Sequence, residues 1–268
     1  SIHTNLDNII NGVNGAIAKK LKLKKCRVIQ PKSDILRKLV VYCPKKNTNQ
    51  LRDALFVAGA GSLGKYDKCS FMSIGEGTFR AGIDANPYLG NIGDFHIEKE
   101  DKLEVIYPRN KELHLLSAMK DNHPYEEIAY QIYAICNLDN LVGNGIIGEL
   151  NKPIKTIDFL TSLKATMNTE VIRHTAIVKD YINKVAVCGG SGSFLLKKAI
   201  NQGADIFISS DFKYHQFFDS EDNIIIADIG HYESEQYTKE LIYDLLTKKF
   251  IKFAVQLSQV NTNPVNYL

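Results

Sequence analysis

No run in the 268-residue sequence approaches the length of a membrane span, and the first residues carry neither the charged nor the apolar region of a secretory signal. Cysteine is sparse. Cys26, Cys43, Cys69, Cys136 and Cys188 stand far apart, form no C-x-x-C pair and are odd in number, which points to a reducing cytoplasm and away from a disulfide framework. Neither sign of charge dominates: 33 Lys and Arg against 30 Asp and Glu leave a formal net charge of +3, too mild to argue for a nucleic-acid partner. The one dense basic run, residues 19–27, is expected at the end of a helix, where cations complement the helix dipole. What is present is a globular composition, 44% hydrophobic, with length for a sizeable core and more than one domain.

The most informative stretch runs from Ala227 to Glu235. An apolar run from Ile224 empties into Asp228-Ile229-Gly230 and sets His231 four residues before Glu235. With residues 224–229 as a buried strand and a helix from Tyr232 onward, imidazole and carboxylate share one helical face at an exposed strand end. Mixed nitrogen and oxygen donors at that spacing suit a borderline-to-hard divalent ion, although any solvated helix can carry the same pattern. His3-Thr4-Asn5-Leu6-Asp7 repeats the spacing ahead of an apolar stripe of Ile9, Ile10, Val13, Ala16, Ile17 and Leu21. Alone, it reads more readily as a helix capped by Asp7 or Asn8 with His3 a terminal residue. Two such pairs shift the balance toward a metal.

Between the first helix and Leu138 the order is strand 38–43, helix 48–58, strand 68–72, a glycine-rich loop, strand 102–106, helix 112–121 and strand 128–135, the outline of a ferredoxin-like unit. Gly143-Asn144-Gly145 and Gly148 then read as a boundary. Beyond it the pattern is that of a parallel sheet: helix 157–167, strands 169–173 and 184–188, a turn at 189–193 into helix 194–202, strands 204–209 and 224–229, and a long helix 233–250. The composition of the tail 255–268 is turn-forming. In such sheets ligands collect at the carboxyl ends of the strands. Those ends offer the glycine-serine turn, Asp211 with Lys213 and His215, and His231 with Glu235.

The turn Gly189-Gly190-Ser191-Gly192-Ser193 is neither a Walker loop nor a G-x-G-x-x-G fingerprint. Its backbone amides at Gly190, Ser191 and Gly192 suit a phosphate, and its glycines equally suit tight packing. Asp211 and His215 are placed for outer contacts to a metal or for proton relay, or else belong to a solvated loop. A Ser191, His215, Asp211 triad lacks the strained G-x-S-x-G elbow and is set aside. The Gly75 to Gly82 stretch, with Phe79 and Arg80, and its continuation Asn86 to Gly90 are expected as a long loop, functional or mobile. His123-Pro124-Tyr125-Glu126-Glu127 looks like a metal cluster, but Pro124 makes it an extended entry into a strand, and a structural role is expected.

His3-Thr4-Asn5-Leu6-Asp7, the GEGTFRAG and ANPYLG stretches, His123 to Glu127, Cys188 to Gly192 and Asp228 to Glu235 occur in an order that resembles the Nif-three-like dinuclear metal-centre family, also called GTP cyclohydrolase I type II homologues. The resemblance implies an α/β fold. A three-layer αβα domain, 1–35 with 139–255, would be split by an inserted ferredoxin-like, PII/CutA-like α+β domain at 36–138, with a tail at 256–268. It further implies two divalent ions per chain (zinc, iron or manganese) on Asp7, His231 and Glu235, with His3 and Asp211 near them and His215 as a proton-transfer group. A toroidal homohexamer is implied as well. The family pattern carries a His-His-Pro segment upstream of the first residue here, so a truncated chain with a depleted ligand set is expected.

The expected function is that of a cytoplasmic, metal-dependent hydrolase using a metal-activated water on a phosphate-containing or cyclic-amide substrate. A second expectation is a non-catalytic regulatory or metal-handling assembly whose middle domain binds a small ligand through Phe79 and Arg80. Neither membrane nor nucleic acid is expected as a partner.

Overall fold

A computed structural model describes residues 4–268, so the candidate metal neighbour His3 lies outside the described residues. In chain order the elements are α1 (Thr4–Asp7), α2 (Val13–Lys20), β1 (Lys24–Pro31), β2 (Leu36–Pro44), α3 (Thr48–Val57), β3 (Phe71–Arg80), β4 (Phe95–Pro108), α4 (Glu112–Asn122), β5 (Tyr130–Ala134), β6 (Gly143–Lys155), α5 (Thr156–Thr166), β7 (Arg173–His174), β8 (Tyr181–Ser191), α6 (Leu196–Asn201), β9 (Ile206–Ser210), β10 (Ile225–Asp228), α7 (His231–Glu235) and α8 (Thr238–Lys249). They form a mixed α/β protein with two sheets. The chain divides into two compact units, one made of the residues up to Lys32 together with Asn140–Leu268, the other of Ser33–Asp139. Among the described residues no helix is long and apolar enough to cross a membrane.

The first unit is built on a six-stranded sheet in the order β1-β6-β8-β9-β10-β7. Side chains alternate between its two faces, as strand geometry requires. Val185, Val187, Ile206, Ile208 and Ile225 pack with Ile17 of α2 and Phe159 and Leu163 of α5. Ala186, Phe207 and Ile226 pack with Leu196 and Ala199 of α6 on the other face. Strands covered on both sides read as unbroken apolar runs, which is why 184–188 and 224–229 were visible in the sequence.

Only the centre of this sheet is parallel. β9 lies parallel between β8 and β10, while β1, β6 and β7 join antiparallel. The expected parallel pattern thus holds for β8, β9 and β10, and the sheet as a whole is mixed. Residues 24–27 of the basic run open strand β1 rather than end a helix, while Gly143, Gly145 and Gly148, just past the division of the units at 139/140, open and continue β6. The strand expected at 169–173 shrinks to the two residues of β7. The single helix expected over 233–250 is two. Gln236 donates through Nε2 to Met167 O (2.7 Å) and the Tyr237 hydroxyl donates to Thr166 O (3.0 Å), so the junction of α7 and α8 caps the open carbonyl end of α5.

In the second unit four strands pair antiparallel in the order β3-β4-β2-β5. Leu39, Val41, Leu103 and Val105 face Leu51 and Leu55 of α3 and Leu115 and Met119 of α4. The expected glycine-rich loop is corrected here: Gly75 to Arg80 continue β3 and pair with Phe95 to Glu100. Gly77 is a packing residue, because a Cβ at that position would fall 2.1 Å from Glu100 Oε2.

Asp205, ahead of β9, joins two strands of the first unit. Its Oδ2 accepts from the amides of Asn183 and Lys184 (both 2.8 Å) and its Oδ1 from Lys179 Nζ (2.6 Å). Burial alone would raise its pKa, but Lys179 and the two amides more than offset that and hold the carboxyl below its usual range. A depressed folded pKa contributes stability that is present above the unfolded value, near 3.9, and lost as pH falls through the folded value. Asp205→Asn should therefore cost about 1–3 kcal/mol in urea unfolding at neutral pH. That gap should narrow steadily in melts taken below about pH 4.

Candidate functional site

The three parallel strands β8, β9 and β10 end side by side, and their carboxyl ends carry the chemistry. β10 runs into Gly230, and α7 begins at His231. The imidazole Nδ1 donates to Asp211 Oδ2 at 2.6 Å, just past β9, while Nε2 lies 3.6 Å from Glu235 Oε2 one helical turn on. Asp211 reaches across with a left-handed backbone (φ 59°), a conformation that aspartate tolerates. Its hydrogen bond raises the pKa of His231, and the charges of Glu235, Asp211 and Asp7 act in the same direction against burial.

β8 supplies the floor. Gly190 sits at φ +64°, and a Cβ there would fall 2.5 Å from Glu235 Oε1 and 3.4 Å from the His231 ring. The backbone can approach the pair only because this residue is glycine. It is also pinned at both ends: its amide donates to Ser234 Oγ (2.8 Å), and its carbonyl accepts from Ser209 Oγ (3.0 Å). Ser234 in turn donates to His231 O (2.8 Å).

Two residues not singled out from the sequence organise this centre. The buried carboxylate of Asp228 accepts from the amides of Phe212 (3.0 Å) and Gly230 (3.1 Å) and from the Arg173 guanidinium, tying together the turns after β9 and β10. Buried Asn14 donates to Asp7 O (2.9 Å) and accepts from the Gly189 amide (2.8 Å), so α2 links the Asp7 region to the end of β8. A polar side chain within an apolar helical stripe was the available signal for Asn14, and an aspartate closing an apolar strand the signal for Asp228.

Of the residues expected at the site, His231, Glu235 and Asp211 meet directly. Asp7, at the end of α1, is close enough for its charge to act on His231 and on Cys188, whose thiol is pushed up to about 12 mainly by burial. His215 is not brought to the pair: it is exposed, with its ring edge-on to Tyr214 at 5.2 Å. Of the three amides expected to suit a phosphate, that of Gly190 is already taken. The amides of Gly189 and Gly190 are already bonded to Asn14 and Ser234, Ser191 pairs with Ser210 in the sheet, and a Cβ on Gly192 would meet Ser209 Oγ at 2.3 Å. These glycines serve packing. His123 is structural as expected, with Nδ1 accepting from Tyr125 N (3.1 Å) and Nε2 donating to Tyr42 O (2.8 Å).

A divalent ion can be tested against this donor set. With Nδ1 committed to Asp211, the imidazole presents Nε2 as its free lone pair beside Glu235, and the missing Cβ of Gly190 leaves the space open. These two donors fit. Among the described residues, however, no group of three or more His, Cys, Asp or Glu side chains is gathered closely enough to hold an ion.

Fold and site together define an α/β protein with a carboxylate-oriented histidine at the ends of its central strands. The sequence matches the Duf34/NIF3 (NGG1p interacting factor 3) family over residues 1–264, and the chain belongs to that family. It is 35% identical over 272 residues to the GTP cyclohydrolase 1 type 2 homolog of Bacillus subtilis (strain 168), spanning 99% of this chain and 73% of that protein. The homolog from Halalkalibacterium halodurans is 36% identical over 271 residues, with the same coverage. Among solved structures, a Bacillus cereus protein related to NIF3 superposes with a TM-score of 0.83 at 30% identity, covering 99% of this chain and 72% of that one.

The close approach at Gly190 yields a direct test. Gly190→Ala combines a steric clash with left-handed strain and should lower unfolding free energy by about 1–3 kcal/mol. Ser191→Ala, at an exposed neighbour, should stay within about 0.5 kcal/mol of wild type. Equal denaturation midpoints for the two variants would contradict the packing described.

Proposed function

We propose that the protein is a divalent-metal-dependent hydrolase whose ion is met by His231 Nε2 and Glu235, with Asp7, whose charge reaches His231, as the further ligand that the resemblance implies. The observation that carries this reading is the Asp211 to His231 hydrogen bond, which fixes one imidazole tautomer and aims Nε2 at Glu235 across the bare backbone of Gly190. A divalent ion at such a site supplies Lewis acidity and lowers the pKa of water toward neutrality. The relatives' name, GTP cyclohydrolase 1 type 2 homolog, is in keeping with a hydrolytic role.

The chain's own residues account for the rest. Asp211 keeps the imidazole oriented and compensates positive charge on it, in line with the outer contact to a metal ligand expected of it. A cleft of about 750 Å³ opens beside His231, walled by Arg173 and Lys239 and by Asn263 and Tyr267 of the tail. The Arg173 guanidinium is held by buried Asp228 and by Phe212 O, so one cation is fixed at this wall. That suits a substrate with an anionic group, such as a phosphate ester. The reading takes the first unit as the αβα metal domain and the second as its PII/CutA-like insertion. The two-ion centre, toroidal hexamer and cytoplasmic location implied by the resemblance belong to the same proposal.

Elemental analysis of the purified protein tests it. Near-stoichiometric transition metal is expected in the wild type, lost in His231→Ala, and held about 10–100-fold more weakly in Asp211→Asn. Equal metal content in wild type and His231→Ala would refute the assignment.

A further inference from the structure

The second unit contains a cleft of its own, of about 600 Å³, between β3, the turn around Pro87 and Tyr88, and the segment Tyr125 to Glu127. Its walls are aromatic. The Tyr125 ring lies 6.1 Å from Phe79 and 6.2 Å from Tyr88, and Tyr42 joins them. Lys46 Nζ already stands 4.6 Å over the Tyr88 ring, so this π-face accepts a cation.

The floor carries a buried charge. Glu100 is only 9% exposed, packs against the Cα of Gly77 and lines the cleft. Among the described residues no cation pairs with it. Lys102 is held by Glu104 at 2.8 Å. His123 lies near enough to feel the Glu100 charge, yet burial lowers its pKa, and both ring nitrogens are committed to backbone groups, which leaves it neutral. The hydroxyl of Tyr125, on the same wall, is buried beside Glu100; burial and then the neighbouring carboxylate raise its pKa, but the two groups make no well-formed hydrogen bond. A carboxylate withdrawn from water and left without a counter-charge is costly. Three more carboxylates, Glu76, Glu126 and Glu127, stand exposed along the rim, where Arg80 and, over Tyr88, Lys46 are the cations besides Lys102 among the described residues.

We infer that this cleft binds a linear aliphatic polyamine, with one ammonium on Glu100, the methylene chain between the Phe79, Tyr88 and Tyr125 rings, and the remaining ammoniums at the rim carboxylates. Charge-assisted hydrogen bonds and cation–π contact supply the recognition, and the alkyl segments suit the ring walls better than a compact cation would. The site is independent of His231.

Isothermal titration of the full chain with spermidine tests the inference. One site per chain is expected, weakened about tenfold or more in Glu100→Gln and also weakened in Tyr88→Ala, with His231→Ala unchanged. Circular dichroism checks that each variant is folded. Should Glu100→Gln fail to fold, exposed Tyr88 carries the test alone. Absence of spermidine binding to the wild type would overturn the assignment. So would variants that titrate like the wild type, which would mean counter-ion binding at the surface, or a cleft that takes ATP and not spermidine.

Discussion

Strand β8 and helix α7 pack most closely at Gly190, a residue without a side chain, and the geometry of the candidate centre follows from that contact. Gly190 gives its amide to Ser234 and receives the Ser209 hydroxyl, so three parallel strand ends are fastened within one hydrogen-bond network. Because no Cβ intervenes, His231 and Glu235 can lie over the backbone itself. Their relative position is then set by one helical turn and by Asp211, which fixes the imidazole through its other nitrogen.

The electrostatics follow from the same arrangement. Asp7, Asp211 and Glu235 surround one imidazole, and together they favour positive charge at this point. Asp228 lies just below, buried, and answers its charge with two backbone amides and Arg173, so it acts as a brace and not as a further anion. The second unit presents a different balance. There, among the described residues, the buried Glu100 lies in an aromatic-walled cleft with no cation paired to it, which is why the two units are assigned ligands of different chemistry.

What was legible in the sequence was local. His231 and Glu235 are one helical turn apart, and the strands of β8, β9 and β10 are covered on both faces, so spacing and apolar runs sufficed to find them. The order of strands and helices in the second unit was also readable, because its core residues alternate within short segments. Contacts between distant segments were not. Asp211 meets His231 only because β9 and β10 lie side by side, and Asn14 meets Gly189 across 175 residues. Glycine misled in both units. Gly143, Gly145 and Gly148 read as a boundary and Gly75 and Gly77 as a loop, yet all lie in strands, and at Gly77 the Glu100 side chain fills the space a Cβ would take. Likewise the break after Glu235 depends on Gln236 and Tyr237 reaching the end of α5, which no local pattern announces.

The central claim is that His231 is held with Nδ1 protonated against Asp211 so that Nε2 is free to bind a divalent ion. Long-range nitrogen-15 NMR of the imidazole rings during a zinc titration tests it most directly, with His231 assigned among the seven histidines by comparison with His231→Ala. The account predicts that the His231 Nε2 resonance moves with zinc while Nδ1 keeps its proton. An Nε2 that stays at its metal-free position, or a ring protonated on Nε2 instead, would contradict it.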